Sequence, residues 1–316
     1  MKRVLPFLSV VLLCGAAGLS AQPDKVRLAI GYIPDAQFAP LYVGMERGFF
    51  REEGIELSVE YGFSVDVFSL LAAGKIDLGL SDSDQLIMAG AKGMGLKAVY
   101  QYYQKYPVAI VAKADRIREP SDLKGRLIGT PELYGTSYIG MQLFLKKYGL
   151  TGLSRIEKIG YAQIPALETG KVDAAVCFFN NEPILLKRQG VDVTEWDVKD
   201  FSDMVGASFI ASVGGIAERR DTLTRFARAL RKAMAYTMEN RGEALEAVLR
   251  NVRGASENRE FVSRKLDATC ALFVHPGGYG TLDVDRYARS IGELSAMGLI
   301  ARTFPAETIL EPLMGE

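Results

Sequence analysis

The chain has a single histidine, His275, and three cysteines among 316 residues. That leaves little material for a zinc site or a histidine-centred catalytic triad. There is no surplus of base either, with Lys plus Arg at 38 and Asp plus Glu at 38. Proteins that live on nucleic-acid phosphates carry a basic excess, so no DNA or RNA partner is expected. Beyond the N-terminal region no run approaches about 18 apolar residues, and no membrane-spanning helix is expected there. What is present is the composition of a folded protein, 48% hydrophobic and 24% charged. The length predicts roughly two domains.

The first 21 residues read as an address. Lys2 and Arg3 precede a largely apolar run over 4–13, and small residues follow from Cys14 to Ala21. This is the layout of a secretory signal, with cleavage expected after Ala21. Lipidation at Cys14 is the second outcome, with Leu13 a poor fit to the small residue that such processing prefers. Loss of residues 1–21 leaves 36 bases against 38 acids. Export permits disulfides, but nothing in the spacing of Cys177 and Cys270 suggests a pair, and two buried free thiols are expected.

The remaining chain repeats one β-α-β-α-β pattern. Val26-Arg27-Leu28-Ala29-Ile30 is strand-like and enters a loop at Tyr32-Ile33-Pro34-Asp35. A helix closes at Gly54, a strand follows from Ile55, and a second helix ends at Gly74-Lys75. Ile76-Asp77-Leu78-Gly79-Leu80 then empties into the polar loop Ser81-Asp82-Ser83-Asp84-Gln85. The second copy starts at Arg126-Leu127-Ile128-Gly129, with landmarks at Gly149 and Gly170-Lys171, and empties into Phe178-Phe179-Asn180-Asn181-Glu182-Pro183. Arg27 against Arg126, Gly54 against Gly149 and Gly74 against Gly170 give offsets of 99, 95 and 96. Three ordered landmarks favour a duplication over chance.

Strand–helix alternation implies α/β lobes with mostly parallel sheets. Ligands in such sheets sit beyond the C-terminal strand ends, so the loops named above form facing rims of a cleft. The segment from Ala98 to Val111 reads as a crossing into the second lobe, and Ala207-Ser208-Phe209-Ile210-Ala211-Ser212 as the return. The expected division is lobe one at 22–107 plus 208–316 and lobe two at 108–207, joined by two crossovers that act as a hinge. A helix is expected over 221–249, with Arg219, Arg220, Arg225, Arg228 and Arg231 on a solvated face.

With Gly31-Tyr32-Ile33-Pro34-Asp35, Ala39-Pro40-Leu41-Tyr42-Val43-Gly44, Gly48-Phe49-Phe50, Ala73-Gly74-Lys75-Ile76-Asp77-Leu78-Gly79 and Asn180-Asn181-Glu182-Pro183, the chain resembles the solute-binding proteins of ABC importers, in particular the NMT1/THI5-like (SsuA/THI5-type) family. The likeness spans roughly residues 26 to 240. It implies the two-lobed, type II-like periplasmic binding protein fold and a flat heteroaromatic ligand, a pyrimidine precursor of thiamine or riboflavin. Some members are enzymes that build that pyrimidine from a histidine and pyridoxal phosphate. They resemble one another around a cysteine-rich segment that here would fall near Cys177, the one cysteine in that stretch.

The rim loops are rich in aromatics, namely Tyr32, Phe38, Tyr134, Tyr138, Phe178 and Phe179. Rings of this kind stack on flat ligands or plug the core, and the sequence leaves both readings open. The same loops carry acceptors and amides and no arginine or lysine apart from Lys105 near the crossing. An anion importer would place a guanidinium there, so a neutral or amine-bearing ligand is expected. Glu182 reads as a specificity determinant and also as part of a helix start. Gly135-Thr136-Ser137 reads as a site for a ligand oxygen or as an N-cap. The expected ligand-facing set is Tyr32, Asp35, Gln37, Phe38, Ser81, Asp82, Ser83, Gln104, Tyr134, Thr136, Ser137, Tyr138, Asn180, Asn181 and Glu182.

These readings converge on a non-enzymatic, exported binding protein, periplasmic or at the cell surface. Its partners are a small heteroaromatic ligand and a membrane ABC permease, with a monomer as the default and no cofactor, metal or catalytic residue expected. A pyrimidine-forming enzyme of the THI5 type, dependent on pyridoxal phosphate and histidine, is the alternative.

Overall fold

A computed structural model describes residues 22–63 and 65–314. The signal-type segment 1–21, with its cleavage position and Cys14, lies outside the described residues. In chain order the strands are β1 (Asp24–Ile30), β2 (Ile55–Tyr61), β3 (Leu78–Asp82), β4 (Leu96–Gln101), β5 (Val108–Lys113), β6 (Leu127–Thr130), β7 (Arg155–Lys158), β8 (Ala174–Phe178), β9 (Val193–Asp197) and β10 (Ala207–Ser212). They form two sheets, ordered β2-β1-β3-β10-β4 and β7-β6-β8-β5-β9. In the first, β1 runs parallel to β2 and β3, and β10 runs antiparallel to β3 and β4. In the second, β6 is parallel to β7 and β8, and β5 is antiparallel to β8 and β9. The fourth strand of each sheet is thus the one that follows a crossing. Apolar strands such as β5, buried along almost their whole length, suit sheets covered on both faces.

The internal repeat is present, with its register shifted by one residue at the first landmark. Arg27 N donates to Asp77 Oδ2 at 2.8 Å and Asp77 N to Arg27 O at 2.9 Å. In the second lobe Leu127 takes that place: its N donates to Asp173 Oδ2 at 2.9 Å, and Asp173 N donates to Leu127 O at 2.9 Å. Leu28 pairs with Leu78, and Ile128 with Ala174. Arg126 reaches the same aspartate from the preceding residue, at 3.7 Å. A long arginine finds the carboxylate from either position, which is why aligning the arginines misplaces the register.

The helix expected over 221–249 is two helices, Val213–Glu239 and Arg241–Asn251, broken at Asn240. Leu223, Phe226, Leu230 and Met234 are buried as their spacing predicts. The arginine face is less free than expected. Arg219 binds Asp77 at 2.6 Å, Arg228 binds Glu53 at 2.8 Å and Arg225 binds Asp24, tying this helix to the first sheet. β7 and β9 escape sequence reading because they are short, partly exposed edge strands without a buried apolar face. Cys177 and Cys270 are buried free thiols. Among the described residues no helix is long and apolar enough to cross a membrane.

The two crossings lie side by side. Tyr102 N and Tyr103 N both donate to Ala207 O at 2.9 Å. Gln101 Nε2 donates to Tyr103 O at 2.9 Å and to Ala207 O at 3.0 Å. A Cβ on Gly206 would lie 2.4 Å from Tyr103 O, so only glycine lets the strands approach this closely. Two short crossings, tightly bonded to each other, join the lobes.

Candidate functional site

A cavity of about 350 Å³ opens where the C-terminal strand ends of the two sheets face each other. The loop after β1 brings Tyr32, Asp35, Gln37 and Phe38, and the end of β3 brings Ser81 and Asp82. From the second lobe, the loop after β6 brings Tyr134, Thr136 and Ser137, and the loop after β8 brings Phe178, Asn180, Asn181 and Glu182. Ser83, Gln104 and Tyr138 do not line it. Ser83 is fully buried and meets Ser208 and Tyr287 hydroxyls at 3.1 and 2.9 Å. Gln104 Nε2 donates to Thr281 O at 3.1 Å, and Tyr138 packs into the core. Ser83 and Gln104 sit against the crossings, where buried polar groups must find partners inside the protein.

The first-lobe side of the cavity is held by hydrogen bonds. Tyr102 Oη donates to Gln37 O at 2.7 Å, and Tyr103 Oη to Gln37 Oε1 at 2.9 Å. Asp35 accepts from Gln37 N at 3.2 Å, which closes the turn Ala36–Phe38. Asp35 also pairs with Lys265 Nζ, a lysine from the helix Arg259–Cys270. By sequence the rim loops carry no base apart from Lys105 near the crossing. Lys105 is exposed and does not line the cavity, whereas Lys265 arrives from 230 residues beyond Asp35.

Carboxylates of both lobes feel the burial. Glu182 Oε2 accepts from Phe178 N at 3.1 Å. Burial pushes the Glu182 carboxyl up, opposed by its own N–H, by Phe178 N–H and by Lys265. Asp82 is pushed up to about 7, chiefly by burial. Asn180 is 2% exposed; its Nδ2 donates to Thr269 Oγ1 at 2.9 Å, while Oδ1 has no partner.

The second-lobe rim is looser. Tyr134 and Tyr161 are 70% and 65% exposed. Tyr161 meets Phe63 of the first lobe with ring centroids 4.9 Å apart, and Phe63 meets Tyr32 edge-on at 5.1 Å. Sequence reasoning missed Tyr102, Tyr103, Glu132, Tyr161, Gln163 and Gln85, all of which line the cavity. Tyr102 and Tyr103 were legible as part of a crossing, and placing a crossing beside the rim would have found them. Tyr161 and Gln163 follow the unrecognised β7. Cys177 and His275 lie outside the lining, and His275 Nδ1 accepts from Gly277 N at 3.0 Å. Among the described residues no group of three or more His, Cys, Asp or Glu is placed to hold a metal ion.

Two five-stranded mixed sheets joined by paired crossings, with a cleft at their facing strand ends, define the two-lobed periplasmic binding protein fold. The aliphatic sulphonate binding protein SsuA of Escherichia coli superposes with a TM-score of 0.74 at 16% identity, covering 93% of this chain and 95% of that one. Residues 35–244 match the family described as NMT1/THI5 like, and the chain belongs to that family. It is 28% identical to the riboflavin-binding protein RibY of Chloroflexus aurantiacus, over 92% of this chain and 88% of that protein. It is 25% identical to the formylaminopyrimidine-binding protein of Halalkalibacterium halodurans, over 97% and 96%. A 4-amino-5-hydroxymethyl-2-methylpyrimidine phosphate synthase of Aspergillus parasiticus is 23% identical over 76% and 75%.

Proposed function

We propose that the protein is the extracytoplasmic substrate-binding component of an ABC importer, and that it captures a flat heteroaromatic vitamin or precursor, riboflavin or a thiamine pyrimidine precursor. The observation that carries this reading is the cleft: aromatic faces from both lobes, with amides and carboxylates between them. Its volume of about 350 Å³ falls within the usual range of small-molecule sites. Stacking on Tyr32, Tyr134 or Phe178 suits a planar ring. Glu182, Asp82 and the unpartnered Asn180 Oδ1 suit a ligand that donates hydrogen bonds. Among the described residues no arginine or lysine lines the cavity, and Lys265 at its edge is engaged by Asp35, which disfavours a sulfonate or phosphate. The relatives named for riboflavin and for formylaminopyrimidine point the same way.

Capture works by hinge closure about the two crossings, with 22–107 and 208–316 as one body and 108–207 as the other. A ligand that touches both rims binds the closed arrangement more tightly than the open one and shifts the population toward it. The permease would read the closed monomer. The signal-type segment 1–21 fits delivery to the periplasm or cell surface, with lipidation at Cys14 as the less favoured route. The synthase reading draws on the synthase-named relatives, but His275 and Cys177 stand outside the cavity.

The test is titration of the protein, freed of residues 1–21, with riboflavin by flavin fluorescence and with formylaminopyrimidine by calorimetry. Saturable one-to-one binding of either is expected. Binding of neither, together with co-purified pyridoxal phosphate, would overturn the reading in favour of the enzyme.

A further inference from the structure

We infer that Asp84 is a positioning residue held as a neutral carboxylic acid, and that in this form it pins the entrance of the helix Gly135–Lys147, and so one wall of the cleft, to the first lobe. Asp84 lies in the helix Ser83–Ala91 and is fully buried. Thr136 Oγ1, from the other lobe, donates to its Oδ1 at 2.8 Å. Tyr106, in the crossing between the lobes, places its Oη 2.5 Å from Asp84 Oδ2 and 3.0 Å from Thr136 O.

A proton count decides the state of this cluster. A phenol has one proton. If Asp84 is ionised, Tyr106 donates to it, and the phenol oxygen then faces the Thr136 carbonyl at 3.0 Å with no hydrogen between them. If Asp84 is protonated at Oδ2, that proton goes to Tyr106 Oη, and the phenol proton goes on to Thr136 O. Each of the three contacts among Asp84, Tyr106 and Thr136 then carries a proton, as buried networks require. The titratable groups facing Asp84 are Asp82 at the end of β3 and Tyr106 in the crossing. Tyr287 of the helix Val284–Ala296 stands one hydrogen bond back, on Ser83. The helix Gly135–Lys147 meets it with Thr136, and no ion pair joins Asp84 to a base among the described residues. Burial raises the Asp84 carboxyl in the same sense, opposed by the hydrogen bonds of Tyr106 and Thr136 and by Gln85, whose Nε2 donates to Asp84 Oδ1 at 3.2 Å. Gly135 and Ser137, on either side of Thr136, line the cavity, so this proton bears on the shape of the proposed site.

Asparagine mimics the neutral acid, since its NH₂ donates to Tyr106 and its oxygen accepts from Thr136. The test is thermal unfolding of wild type, Asp84→Asn and Asp84→Ala from pH 5 to pH 9. A group that holds its proton in the fold and loses it on unfolding favours the folded state less as pH rises above the unfolded value of about 3.9. Wild-type Tm is therefore expected to decline across this range. Asp84→Asn keeps the wild-type Tm at pH 5 and declines less, by about 3–6 °C at pH 9, while Asp84→Ala is lower throughout. An Asp84→Asn Tm as low as that of Asp84→Ala at pH 5, or an undiminished decline with pH, overturns the inference. If Asp84→Asn does not fold, infrared spectra at pH 7 of a variant carrying Asp82→Asn, Glu182→Gln and Glu195→Gln decide, since these other buried carboxyls are also raised. A protonated-carboxyl band that leaves on titration to pH 9 supports it, and absence of the band overturns it.

Discussion

The two lobes share a strand order and differ in what they present to the cleft. Behind the first-lobe face stand Tyr100, Tyr102, Phe209, Phe226 and Phe273, all buried and packed ring to ring. Its cavity groups are fixed: two tyrosines hold Gln37, and Lys265 holds Asp35. The second lobe centres its sheet on Val108, Ile110, Ala174 and Val176, packs its own rings Phe144, Tyr148, Trp196 and Phe201 beside them, and offers Tyr134 and Tyr161 to the cleft largely exposed. One lobe is a platform, and the other is a jaw. Side chains already ordered before a ligand arrives lose less freedom on binding, so the platform favours affinity and the jaw favours entry and exit.

The two sheets allow a matched comparison. Phe209 pairs with Leu80 in the first and Ile110 with Val176 in the second, and these positions correspond once Leu78 is set against Ala174. Phe209→Ala empties the centre of the aromatic stack and is expected to cost about 3–5 kcal/mol in urea unfolding. Ile110→Ala is expected at about 2–4 kcal/mol, with more room for small neighbours such as Ala174 to close in. Equal costs would break the contrast between a sheet centred on Phe209 and one centred on Ile110.

The repeated aspartates give a smaller and sharper test. Asp77 faces two guanidiniums, Arg27 at 3.1 Å and Arg219 at 2.6 Å, whereas Asp173 has Arg126 at 3.7 Å. Burial pushes the Asp77 carboxyl up, but the hydrogen bonds of Arg27 and Arg219 outweigh it and hold the group below its usual range. Asp77→Asn is expected to cost about 1.5–2 kcal/mol at pH 7 and Asp173→Asn under about 1 kcal/mol. A depressed folded value means the Asp77 contribution is complete above the unfolded value of about 3.9 and is lost as pH falls through the folded one. The Asp77→Asn deficit should therefore shrink in urea unfolding below pH 4. A deficit unchanged down to pH 2 would show that charge is not its source.

How far the sequence reveals this molecule follows from where each signal lies. Strands buried on both faces and the Gly-Lys-hydrophobic-Asp junctions are local, so the duplication and its crossings can be read directly, Ala207 to Ser212 included. The edge strands β7 and β9 carry no such pattern, and losing β7 also loses Tyr161 and Gln163 beyond it. Rim loops follow from strand direction, which is why Asp35, Asp82, Tyr134 and Glu182 are found together at the cavity. Lys265 cannot be placed this way, because only the packing of a C-terminal helix on the first lobe brings it to Asp35. Ser83 looks like a rim residue by its neighbours, yet the helix that begins there turns its hydroxyl toward Ser208 in the return crossing.

The smallest effect separates jaw from platform most cleanly. Tyr161→Ala removes an exposed ring whose aromatic partner is Phe63, and stability should stay within about 0.5 kcal/mol of wild type. If the ring folds over a bound heterocycle, affinity falls by about 2–10-fold, the worth of one stacking contact. Most of that loss should be in the dissociation rate, measured by stopped-flow chase of riboflavin or formylaminopyrimidine. Tyr103→Phe does the reverse: it frees Gln37 Oε1 inside the platform and is expected to cost about 1 kcal/mol of stability. A Tyr161→Ala variant that loses stability but not residence time would make Tyr161 part of the scaffold, and the jaw would then have to be sought at Tyr134.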